Sequence, residues 1–151
     1  MPGLYLDTLT WSEAEEALKN CDVIVVPVGA RTKEHGYHLQ LNNDWLTAEY
    51  MTKRILEKCD GVIAVPTVQY GYYPAFVNYP GSINISRGVF RDLIVDICLS
   101  MHRHKPGVRF YVQNGGISTN FSLEPARKIL AEKGIIMEFT DLFVAGMQKL
   151  L

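Results

Sequence analysis

Residues 22–29 read Asp-Val-Ile-Val-Val-Pro-Val-Gly, a short β-branched apolar run closed by proline and glycine. A strand without polar alternation has no face to give to water, so it belongs inside a sheet covered on both sides. Such sheets are mostly parallel, and parallel neighbours need crossover connections, which helices supply. The rest of the chain follows that pattern. Further strands are predicted over 61–65, 108–112 and 135–139, where short apolar runs are bounded by Gly or Pro. Helical periodicity fills the gaps. Ser12 with Glu15 reads as a capping box opening a helix that ends near Asn20. Asp44 to Lys58 predicts a second helix, with Leu46, Met51, Ile55 and Leu56 turned inward and the Asp44 carboxylate at the positive end of the helix dipole. A third runs from Arg87 to His104 over Val89, Phe90, Leu93, Ile94, Ile97, Cys98 and Met101. Ser122 is expected to cap a fourth helix that Gly134 ends, and Asp141 to start a terminal one. The expected fold is α/β, a three-layer α/β/α arrangement with a mostly parallel sheet, in a single domain over 1–151.

Composition narrows the partners. With 151 residues, 48% of them hydrophobic, the chain can bury a core without disulfides or a structural metal. Fifteen basic against sixteen acidic residues, with no run of like charge, leave no footprint for a phosphate backbone, so no nucleic-acid partner is expected. Cys21, Cys59 and Cys98 are odd in number and scattered, which predicts reduced thiols and a cytoplasmic location. No basic leader opens the sequence and its apolar runs are too short for a bilayer, so no membrane partner is expected.

In parallel α/β sheets the ligand site lies beyond the carboxyl ends of the strands, here the segments Gly29–Asn43, Pro66–Ser86 and Gln113–Asn120. The first gathers Glu34, His35, His38 and Asp44, residue types that ligate zinc or manganese. The alternative is a solvated Glu34, histidines bonded to loop backbone and Asp44 as a helix cap. The second carries Tyr70, Tyr72, Tyr73, Phe76 and Tyr79, which could wall a small-molecule pocket, form an interface or cover the sheet edge. The third, Gln-Asn-Gly-Gly-Ile-Ser-Thr-Asn, is glycine-rich but lacks a phosphate-loop spacing, and reads as a tight turn.

Taken together, the three loops resemble the creatininase (creatinine amidohydrolase) family. Pro27-Val28-Gly29 followed by His35-Gly36-Tyr37-His38-Leu39 and Asp44 is similar to its Pro-Val-Gly, Glu-Gln-His-Gly-Pro-His-Leu-Pro and aspartate. Pro66, Tyr70-Gly71 and Tyr79-Pro80-Gly81-Ser82 resemble its Tyr-Gly and Phe-Pro-Gly-Thr pattern, and Asn114-Gly115 through Asn120 its Asn-Gly-His-Gly-Gly-Asn turn. The agreement runs from about Cys21 to Phe139.

The resemblance implies metal-assisted hydrolysis of an amide C–N bond in a small cyclic amide or formamide, at a site that holds two divalent ions. Carried over residue by residue, it retains His35 and Asp44 as the metal ligands, and a working site would use Glu34 and His38 beside them as its catalytic residues. Glu34 would serve as replacement ligand or proton acceptor, and His38 would orient the ligands. Tyr70, Tyr72, Asn114 and Ser118 would contact substrate. Counted back from His35, the family's glutamate position holds Lys33, whose ammonium is hostile to a dication, while Glu34 sits next door. In the last loop Gly116 stands where the family has histidine, and no carboxylate follows. The expected cofactor is thus one weakly held zinc or manganese ion, or none. The later segment that closes the family's pocket is expected to be missing here. A homo-oligomer covering the aromatic rim is expected, as is a small-molecule ligand. If the site chemistry has gone, the fold would serve instead as a binding or partner subunit, or run metal-independent chemistry.

Overall fold

The computed structural model describes residues 2–142. Among the described residues five parallel strands form one sheet: β1 (Leu4–Tyr5), β2 (Val23–Val28), β3 (Val62–Ala64), β4 (Arg109–Asn114) and β5 (Met137–Phe139), in the order β1-β3-β2-β4-β5. The four predicted strands are present. β1 was not foreseen, because two residues carry no readable period; it pairs Leu4 with Ile63 and Tyr5 with Ala64. β2 is central, and its ladder with β4 runs from Val23–Arg109 to Val28–Asn114. Pro27 interrupts nothing there, since its carbonyl accepts from Val68 N on the opposite side, beyond the last β3 residue.

Helices lie on both faces, as three layers require. α1 (Trp11–Lys19), α3 (Arg87–His104) and α4 (Asn120–Glu132) share the larger core with Ile24, Val26, Val28, Phe110 and Val112. α2 (Asn43–Lys58) packs on the opposite face, where Leu56 meets Val25, Val62 and Ala64. Each fully buried large side chain, such as Phe90, Ile24 or Leu123, contributes roughly 1.5–3 kcal/mol.

Local details differ from the sequence expectations, each for a physical reason. The capping box is Thr10 with Glu13 rather than Ser12 with Glu15, so α1 starts two residues earlier. α2 turns Ala48, Thr52 and Leu56 to the sheet and leaves Leu46 and Met51 exposed, because the small side chains allow the closer approach. On α3 the inward stripe is Phe90, Ile94, Val95 and Cys98, with Val89 and Leu93 on the solvent flank. Ser122 does not cap α4, which starts after Thr119; it is buried within the first turn and donates to Arg87 O. Gly134 ends α4 at φ +73°, as expected. The terminal helix expected from Asp141 lies outside the described residues. Among those residues no helix is long and apolar enough to cross a membrane.

Cys21 and Cys98 are buried and Cys59 is exposed. Burial pushes the Cys98 thiol up to about 12 and raises that of Cys21. Titration of the native protein with a chromogenic disulfide should therefore consume one thiol quickly and all three only after denaturation. Fast reaction of Cys98 in the native state would contradict this burial.

Candidate active-site rim

β2 and β4 are neighbours, yet the chain leaves β2 toward α2 on one face and β4 toward α4 on the other. Divergence of that kind opens a crevice at the strand ends. The three expected loops meet there. Glu34 N donates to Ser82 Oγ (3.0 Å) and Ile83 N to Thr32 O (3.0 Å), joining the first loop to the second. Ser118 Oγ donates to Tyr72 O (2.7 Å), joining the second to the third.

Gly29 fixes the depth of the crevice. A Cβ there would stand 2.5 Å from Asp44 O and 2.7 Å from Ala48 Cβ, so α2 begins hard against the end of β2. Trp45 N donates to Ala30 O (3.0 Å) across the same junction. Gly29→Ala must push α2 outward and carry Asp44 with it, at an expected cost of about 1–3 kcal/mol by chemical denaturation. Unchanged stability would show that this junction has slack.

At the floor lies a charge cluster. Lys33 Nζ is 2.9 Å from Asp44 Oδ2, and His35 Nε2 is 2.9 Å from Asp44 Oδ1. The His35 contact is at ion-pair distance but lacks hydrogen-bond alignment. Lys33 is only 9% exposed and lies over two aromatic rings, Phe76 at 4.4 Å and Tyr73 at 5.6 Å. Tyr73 is buried too, and burial followed by the Asp44 charge holds its hydroxyl well above the ordinary phenol range.

The other expected site residues take different places. The Glu34 carboxylate folds back onto Gly36 N, and His38 is exposed beside Gly36. Tyr70 is exposed at the rim, while Tyr72 is half-buried against the core. Asn114 is 1% exposed and bonds within its own chain: Nδ2 to Gly116 O, Asn120 Oδ1 and Thr140 O, Oδ1 from Gly116 N and Thr119 Oγ1. The aromatic loop is not one exposed patch. Tyr73 turns inward and Phe76 is part-buried, both lying against the Lys33 ammonium, and only Tyr70 and Tyr79 of the five are exposed. Lys33, Tyr73 and Phe76 join His35 and Asp44 in the cluster; the sequence offered the two aromatics as pocket wall, interface or edge cover, and Lys33 as a charge hostile to a dication, without bringing the three together.

A sequence model of the creatininase family (creatinine amidohydrolase) matches residues 7–144. The chain belongs to the creatininase family. It is 31% identical over 96 residues to 3-dehydro-scyllo-inosose hydrolase of Thermotoga maritima, covering 63% of this chain and 30% of that protein. To creatinine amidohydrolase of Pseudomonas putida it is 28% identical over 152 residues, covering 97% and 54%. A crystal structure of creatinine amidohydrolase (creatininase) superposes with a TM-score of 0.76 at 27% identity, over 91% of this chain and 57% of that one. The chain thus spans about half the length of that curated creatininase and less of the other relative. Further creatininase structures at 26% identity carry Mn or Zn-Zn in their names.

The residues present here do not fit such a metal centre. Both oxygens of Asp44 face cationic or imidazole nitrogen, and Glu34 is bonded to its own loop. Among the described residues no three His, Cys, Asp or Glu side chains gather in a group able to hold an ion.

Proposed function

We propose that this creatininase-family chain binds a small cyclic amide or formamide at the rim after β2, β3 and β4 and hydrolyses its C–N bond. The observation that carries this reading is the convergence of the three family loops on the Lys33–Asp44–His35 cluster, in which Lys33 is buried and its two partners are part-buried. The Lys33 ammonium, anchored on Asp44, would polarise the substrate carbonyl, and His35 would accept the proton of the attacking water. As the C–N bond breaks, the imidazolium returns that proton to the leaving nitrogen. Tyr70 and Tyr72 would flank the ligand, with Glu34 and His38 at the mouth; Asn114 and Ser118 would shape the loops rather than touch the ligand. Metal-assisted chemistry is not part of this reading, because the donor set does not fit an ion.

One observation favours a second reading, ligand binding without turnover, as in a partner subunit: the Asp44 charge is already matched by Lys33. Incubation with creatinine, other lactams and formamides, followed by proton NMR, separates the two. Ring opening or amine release that Lys33→Met abolishes supports hydrolysis. Saturable ligand line broadening without product supports binding alone, and neither result overturns both.

Homo-oligomerisation, with Tyr70 and Tyr79 at the contact, completes the proposal. Sedimentation should then report a species above 17.1 kDa that Tyr79→Ala weakens. A 17.1 kDa species persisting at high concentration would refute it.

A further inference from the structure

We propose that Lys33 is the resident cation of this site: its ammonium, in place of a metal ion, holds Asp44, and whatever the rim does is metal-independent. The inference rests on reading the three loops as one site, but not on any substrate. Two independent observations carry it.

The first is at Lys33. Its position, counted from His35, is that of the family's glutamate, and its side chain has settled inside the crevice instead of reaching for water. The ammonium is 2.9 Å from Asp44 Oδ2, and the Phe76 and Tyr73 rings lie 4.4 and 5.6 Å from it. A lysine pointing outward would have left Asp44 open to an ion. Here any dication approaching Asp44 meets a nearly buried positive charge, in surroundings where screening by water is weak.

The second is at Gly116, which stands in the Asn-Gly-His turn where the family has histidine. A Cβ on Gly116 would lie 2.8 Å from Thr119 Oγ1 and 3.4 Å from Tyr73 Cε1. The turn has closed over that place: Thr119 Oγ1 donates to Asn114 Oδ1 (2.7 Å) and Tyr73 fills the adjoining space. The loss of ligands is therefore built into the packing, with an ammonium at one ligand position and, at the other, a glycine whose place a side chain could take only by displacing Thr119. One change should reverse the first of these. Lys33→Glu removes the ammonium and adds a third donor beside His35 and Asp44, the three-ligand minimum common in catalytic zinc sites.

Calorimetric titration with manganese chloride and zinc chloride tests this, with bound metal counted after desalting. The wild type should take up neither ion saturably, and its thermal midpoint should not move with either ion or with chelator. Lys33→Glu should bind one ion, on the order of 100-fold more tightly than any residual wild-type binding. Stoichiometric binding by the wild type that Asp44→Asn abolishes would overturn the proposal, as would a folded Lys33→Glu protein with no gain. Should Lys33→Glu fail to fold, Lys33→Gln takes its place: it removes the repulsion alone and should show a weaker isotherm where the wild type shows none. Absence of that isotherm in the folded Lys33→Gln protein counts against the proposal. The wild-type titration needs no variant. Turnover of amides is read separately, so a silent activity assay beside the expected metal titration would sink the hydrolytic reading and leave this one standing.

Discussion

Lys33→Met should destabilise the protein by about 3 kcal/mol, among the largest losses expected from any single substitution outside the core. Lys33 and Asp44 side chains are 11% and 17% exposed, so removing the ammonium leaves a carboxylate with little water to solvate it. The mechanism is the uncompensated charge, and a second variant isolates it. Lys33→Met with Asp44→Asn should recover much of the loss, since a neutral pair of similar volume carries no orphaned charge. Urea unfolding of the wild type, both single variants and the double variant gives the coupling. A Lys33→Met protein as stable as the wild type would mean that Asp44 is adequately solvated, and would remove the structural reason for calling Lys33 resident.

Asn114→Ala should cost about 3 kcal/mol, and Asn114→Asp at least as much. In the alanine variant Gly116 N loses its acceptor and Thr119 Oγ1 the nearer of its two, the other being Gly116 O, while Gly116 O, Asn120 Oδ1 and Thr140 O each lose a donor. Aspartate keeps the shape and places an oxygen against those three oxygens. Both losses should appear by urea unfolding with no ligand present. Stability equal to the wild type together with weakened ligand binding would instead return Asn114 to the substrate-contact role that the family resemblance implies.

These residues mark where sequence reasoning reached and where it stopped. The Val23–Val28 run required a buried strand, and a buried strand flanked by helical periods required the parallel sheet. The same loop positions then required a rim after β2, β3 and β4. The family resemblance was legible for a related reason: loop motifs are short, contiguous and rich in residues with distinctive chemistry. Helix faces were less legible. Leu46 and Met51 satisfy the apolar period of α2 as well as Ala48 and Thr52 do, and only the distance at which the helix meets the sheet chose the small pair.

The sequence by itself determined the sheet, the crossovers, the family, and the lysine and glycine that stand where metal ligands would be. Only the tertiary structure decided what those two departures mean. A lysine at a carboxylate's position can point to solvent or into the site, and nothing local to residues 32–35 selects between them. The choice was made by Asp44 on α2 and by Phe76 and Tyr73 from the loop after β3, up to 43 positions away in the chain and brought within 2.9 to 5.6 Å of one ammonium. Coulomb attraction and aromatic contact depend on distance in space, and the sequence specifies that distance only through the completed fold.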